Sequence, residues 1–60
     1  MTLNEFVEIV DSEDRIEIML IGEKRSLYEG VAKGFRVEEQ YSVKYVTVFD
    51  DTLLVGVRRI

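Results

Sequence analysis

Two residue types that carry much of protein chemistry are missing from this chain of 60 residues, which has no cysteine and no histidine. Without cysteine, disulfides and thiolate metal sites are excluded. Without histidine, imidazole ligands and the commonest general base near neutral pH are gone. Nucleophilic catalysis by a Ser/His/Asp or Cys/His set is therefore impossible within the chain. An enzyme built from it would have to use carboxylates, tyrosine, lysine, or a hard cation such as magnesium held by carboxylates. Long apolar runs are also missing: none approaches the roughly 18 residues of a membrane span. The opening MTLNEF has no basic stretch of the kind that begins a signal peptide. A cytoplasmic protein is expected.

What is present describes a small α+β domain occupying residues 1–60. The hydrophobic content of 47% is that of a folded chain, not a disordered one. A chain of this size buries only about 60% of its unfolded surface, and folds this small usually lean on a partner or another staple. The net charge of -4 argues against a general nucleic-acid binder. The charge is unevenly spread. Glu5, Glu8, Asp11, Glu13 and Asp14 make the first fourteen residues purely acidic, whereas Arg15, Lys24, Arg25, Lys33 and Arg36 tilt residues 15–37 toward the basic.

Periodicity places the elements. Leu3, Phe6, Val7 and Val10 follow the i, i+3, i+4, i+7 spacing of an amphipathic helix, and Thr2 with Glu5 forms a capping-box pattern at its start. Such a short helix must lie on something. RIEIMLI alternates as a strand, with Ile16, Ile18 and Leu20 on one side. GEKR reads as a turn and SLYEGVAKG as a returning strand, where Gly30 points to a bulge or a close backbone approach. GFRVEEQYS has no clean period and reads either as a helical turn or as a bent crossover. VKYVTVF and LLVGVRRI complete two further strands around the tight connection Asp50–Asp51–Thr52. The expected fold is an N-terminal helix packed on a four-stranded antiparallel sheet, completed by oligomerisation.

The oligomer is expected from the last hairpin. By alternation Val43, Tyr45 and Phe49 lie on one side and Val46 and Val48 on the other, so both sides are apolar. One short helix cannot cover both faces, and an uncovered apolar face marks an interaction surface. A homo-oligomer, most simply a two-fold dimer, would cover it. Val46, Val48, Val55 and Val57 are the expected interface residues.

Two groups of polar residues are candidates for chemistry. VDSEDR places Asp11, Glu13 and Asp14 within four positions, a sparse oxygen set for a hard cation. It lacks the glycine and the spacing of a calcium loop. A solvated helix-to-strand turn, in which Asp and Ser bond the local backbone, explains the same residues. Lys24, Arg25, Lys33, Arg36 and Lys44, interleaved with Tyr28, Tyr41 and Tyr45, have the composition of a single-strand nucleic-acid surface; ordinary surface charge with half-buried tyrosines is the alternative.

MTLNEFVEIVDSEDRIEI, with LYEG and VFDDTLLV downstream, resembles small proteins encoded by prophages and mobile elements of low-GC Gram-positive bacteria, and is similar to a small type II anti-CRISPR group among them. The resemblance spans most of the chain, although its motifs are structural. It implies a fold like that of the positive-cofactor-four single-strand DNA binders, oligomers formed through the sheets, and nicking of supercoiled DNA. Relaxing the target would hinder a guide-RNA nuclease, because negative supercoiling tips R-loop formation. In that fold the helix comes after the strands, whereas here it comes first. A nicking reaction in this chain would fall to carboxylates and a cation such as magnesium, with Asp14 the candidate catalytic residue and Asp11 and Glu13 beside it as metal ligands. An equal role for Asp14 is an ion pair across an oligomer interface to Arg25 or Lys33. The alternatives to an enzyme are an acidic nucleic-acid mimic that binds a host protein, or an adaptor module.

Overall fold

A computed structural model describes residues 1–23 and 25–60. The chain opens with helix α1 (Leu3–Ile9), then strands β1 (Arg15–Leu20) and β2 (Ser26–Val31), a 3-10 turn over Ala32–Gly34, and strands β3 (Tyr41–Phe49) and β4 (Thr52–Arg59). The helix starts where its capping box puts it. The Glu5 N–H donates to Thr2 Oγ1 at 3.2 Å, and the Thr2 N–H donates to Glu5 Oε1 at 2.8 Å. Two orphan donors are thereby satisfied in a helix only two turns long. It ends at Ile9 because Val10 turns extended, with ψ at 147°.

The four strands form one sheet in the order β2-β1-β4-β3. β1 pairs with β2 antiparallel and β3 with β4 antiparallel, but β1 and β4 run parallel. The sheet is therefore mixed, not antiparallel as expected. The reason lies in β4. Its stretch LLVGV is apolar on both sides, as an inner strand must be, and it lies against the other apolar strand with Leu53, Val55 and Val57 aligned to Ile16, Ile18 and Leu20. Placing β4 inside leaves β3 on the rim.

Those two rows and α1 make the core. Leu3 and Phe6 of the helix lie over Ile16, Ile18, Leu20, Val55 and Val57, with Ala32 and Tyr41 closing the sides. Val7 and Val10 pack against the same cluster, half-buried, so the helical stripe expected from spacing is the one that is used. The opposite sheet face has no helix on it and mixes apolar with polar side chains. The register places Glu17, Met19, Glu29, Tyr45, Thr47 and Leu54 there.

Two bulges adjust the faces. In β2 the register slips around Leu27, and in β3 around Lys44. The second decides which side chains of the rim strand stand together. Strict alternation separates Val43 from Val46 and Val48, but the extra residue Lys44 brings all three to the helix side, opposite Val57, Val55 and Leu53; directly opposed residues share a face. The segment FRVEEQ is a bent crossover without regular structure after the 3-10 turn, the second of the two forms expected for GFRVEEQYS. The β3–β4 connection is a two-residue turn in which Asp50 and Asp51 both have positive φ, 53° and 60°. These are the left-handed conformations that match the twist of a hairpin. Asp tolerates them better than most residues, at a cost that glycine would avoid.

Candidate functional site

The acidic loop is built into the fold. Asp11 accepts from the Glu13 N–H through Oδ1 at 2.9 Å and from the Asp14 N–H through its carbonyl at 3.0 Å, a local turn of the kind Asp favours. The loop backbone is stitched to the end of β2: the Ala32 N–H donates to the Asp14 carbonyl at 2.8 Å and the Lys33 N–H to the Ser12 carbonyl at 3.0 Å. The Glu13 carboxylate receives Lys33 Nζ at 3.0 Å. Asp14 is exposed. Among the described residues, no three His, Cys, Asp or Glu side chains come together as a metal-holding group. Asp11, Glu13 and Asp14 are thus neighbours in sequence that the fold turns to separate uses.

The basic candidates are dispersed as well. Lys33 lies just past β2 and pairs with Glu13, while Arg25 precedes β2 and pairs with Glu23 at 3.5 Å. An ion pair of either with Asp14 would have to compete with these intrachain partners. Arg36 lies on the crossover beside Phe35 and Glu38, and Lys44 sits in the β3 bulge. Lys24 lies outside the described residues. Of the three tyrosines, Tyr28 packs on Phe35 with ring centroids 4.9 Å apart and donates to the Val31 carbonyl. Tyr41 is buried, donates to Glu39, and has its phenol pKa pushed up by burial first and by Glu39 second. Tyr45 alone of the three is exposed.

Of the four residues expected at an interface, two are on the inside. Val55 and Val57 are 1% and 0% exposed, because β4 is an inner strand and α1 lies over them. The correction leaves Val46 and Val48, and the structure adds Tyr45 and Phe49, which alternation placed on the hairpin without making them part of the interface. These four side chains of β3 are 43%, 68%, 48% and 71% exposed in that order. Val46 and Val48 stand on the helix side and Tyr45 and Phe49 on the open side, so the outer half of β3 is apolar on both flanks. Tyr45 lies across Gly56 of β4, where a β-carbon would overlap its ring. The one glycine of β4 is thus the floor under an exposed aromatic.

The outer edge of β3 is partly occupied. Met1 and Thr2 run beside its first residues, with an isolated bridge between Thr2 and Ser42 and the Val43 N–H donating to the Met1 carbonyl at 2.9 Å. Beyond Val43, from Lys44 to Phe49, no described residue pairs with that edge. An unpaired, β-branched strand edge with apolar flanks is a template for another strand. Its signal in the sequence was the two-sided hairpin VKYVTVF; which strand would be outermost was not legible there.

No helix among the described residues is long and apolar enough to cross a membrane. No family model, curated protein or solved structure matches the chain.

Proposed function

We propose that this chain is a binding module that works by strand addition at the outer edge of β3, without chemistry of its own. The observation that carries this reading is the exposed stretch Lys44–Phe49, apolar on both flanks and with a free backbone edge. It is supported by the use of the loop acids, which cap a turn and hold the β2 end instead of converging on one point. The resemblance to the small anti-CRISPR group supplies a setting: an inhibitor of a guide-RNA nuclease or its assembly that depends on strand addition at this edge, with the acidic N-terminal end facing a basic partner surface. Nicking of supercoiled DNA is the competing proposal within the same setting.

One assay separates the two. Supercoiled target plasmid is incubated with the guide-RNA nuclease and the purified, folded protein, with magnesium, and both cleavage and plasmid topology are read on a gel. Binding through β3 is expected to protect the plasmid while leaving the uncut fraction supercoiled, and V48K is expected to abolish protection without unfolding the chain. Protection that comes with relaxed plasmid, survives V48K and is lost in D14N would overturn the binding reading in favour of nicking.

A further inference from the structure

The free part of β3 has two ends, and together they define how a second copy would fit. Toward Tyr41 it is closed by Met1, which takes the Val43 N–H. Toward the turn it is closed by Asp50 and Asp51, whose positive φ bends the chain away. Between them lie Lys44 to Phe49; with Lys44 in the bulge, the regular stretch is Tyr45 to Phe49 and its middle residue is Thr47.

Backbone parity agrees with this centre. In an antiparallel ladder, residues alternate between bonding inward and facing outward. A two-residue turn makes its flanking residues, here Phe49 and Thr52, an inward-bonded pair. Thr47 shares that parity, whereas Val46 and Val48 turn their N–H and C=O groups outward. The Val43 N–H, on the far side of the bulge, also faces outward, as its bond to Met1 requires.

We infer that β3 pairs antiparallel with β3 of a second copy across a two-fold axis at Thr47, joining the two sheets edge to edge. This pairing rests on the reading of β3 as a strand-addition edge and names its occupant. A two-fold axis normal to the sheet keeps like faces together, so opposed residues must share a face. Centring on Thr47 satisfies this. Val46 meets the partner's Val48 and exchanges a pair of backbone bonds with it, and the symmetry repeats the exchange. Tyr45 meets the partner's Phe49 on the open side, an aromatic cross-strand pair of the kind that stabilises sheets. Lys44 meets the partner's Asp50, opposite in charge. The partner's Met1–Thr2 segment, bonded at the partner's Val43, falls at the level of the hairpin tip, past the end of β3. A pairing centred between two residues would set side chains of opposite faces against each other. A centre at Val46 would set the Lys44 charge against apolar Val48 and leave Asp50 unmatched.

The test uses the absence of native cysteine. In a non-hydrogen-bonded antiparallel pair the Cα atoms lie about 4.5 Å apart, within disulfide range. T47C is therefore expected to give a disulfide-linked dimer on mild oxidation, and K44C is expected not to, because Lys44 faces Asp50 and not its own copy. Sedimentation of the unmodified protein is expected to show a dimer that K44E and D50N each weaken about two- to fivefold, as for exposed ion pairs, and that V48K weakens at least tenfold. A dimer in which T47C does not cross-link and K44E has no effect would overturn the register. A monomer at tens of micromolar would overturn the second copy as occupant, while the plasmid assay with V48K would still decide whether the edge binds another protein.

Discussion

The two hairpins of this protein use the same devices to different ends. Each has a bulge, around Leu27 in one and Lys44 in the other, and each sets a tyrosine against a glycine. In the first hairpin Tyr28 lies over Gly30, where a β-carbon would sit 2.8 Å from its hydroxyl, and it is held by Phe35 and by its bond to the Val31 carbonyl. Of the bulge or close backbone approach expected at Gly30, the bulge lies instead at Leu27, and what approaches Gly30 is the Tyr28 side chain. In the second hairpin Tyr45 lies over Gly56 and its other side meets solvent. The difference comes from the chain that packs beside each hairpin. The segment leaving β2 turns back through Ala32–Gly34 and lays Phe35 and Val37 against the core, whereas β3 is on the rim with Met1 and Thr2 beside its first residues. Local sequence made both hairpins; the crossover packs over side chains of the first and leaves those of β3 exposed, although β2 and β3 are both edge strands.

That contrast can be broken from either side. The largest effect is expected in the shared centre. Ile18→Ala removes a fully buried side chain under α1 and is expected to cost about 3 kcal/mol, in the range of large-to-small core changes. In so small a domain that approaches the whole stability, so the urea midpoint should collapse. Val48→Ala, on the exposed flank, should stay within about 0.5 kcal/mol. Equal losses at the two sites would mean that the outer half of β3 is as buried as the centre and would remove the comparison.

The turn comes next. D50N/D51G places the residues preferred for a two-residue hairpin at two left-handed positions and is expected to stabilise by about 1 kcal/mol, read as a raised thermal midpoint. Loss of stability would show that the aspartates do something in the fold beyond turning the chain. In the charge-swapped dimer test the same double variant should behave as D50N.

Gly56→Ala forces the Tyr45 ring off the sheet. The ring can swing into solvent, so a cost of about 1 kcal/mol is expected, at the low end for overpacking. Tyr45→Ala in the same chain should recover most of it, giving a non-additive double-mutant cycle. Strict additivity would place the ring elsewhere.

The smallest effect is at the helix start. The Glu5 carboxyl is held below the ordinary glutamate range by the Thr2 backbone N–H first and the Thr2 hydroxyl second. A depressed folded value stabilises above the ordinary value and loses that contribution as pH falls through the depressed one. Glu5→Gln should therefore flatten the acid limb of the pH–stability profile and lower the plateau above it, without changing the slope of the alkaline limb. Thr2→Ala is expected to cost about 0.5 kcal/mol near neutral pH, the low end for a lost cap. An acid limb unchanged in Glu5→Gln would assign it to other carboxylates.

Much of the architecture was legible in the residues. The helix, its cap and its buried stripe came from spacing, and so did the alternation of β1 and the tight Asp50–Asp51 turn, because these depend on contacts within a few residues. The parallel pairing of β1 with β4 was not, since antiparallel neighbours are the default for short connections and only the match of two apolar rows selects the inner strand. The face of Val43 was misread for a related reason. A bulge is an extra residue fixed by the partner strand, and alternation counted along one strand cannot see it. For the same reason Val55 and Val57 looked like interface residues in the sequence. They are as apolar as Val46 and Val48, and what separates the two pairs is which strand lies at the rim.

The candidate loop shows the same division. Composition alone required that any chemistry rest on carboxylates, lysine or tyrosine, and the order of residues put the acids together before β1. Tertiary structure turned Asp11 to its own backbone and Glu13 to Lys33, because the end of β2 docks there. It also made a strand edge the largest unspent feature of the molecule. Composition and periodicity act over a few residues and specify elements; which edge stays open depends on the order in which strands from opposite ends of the chain come together.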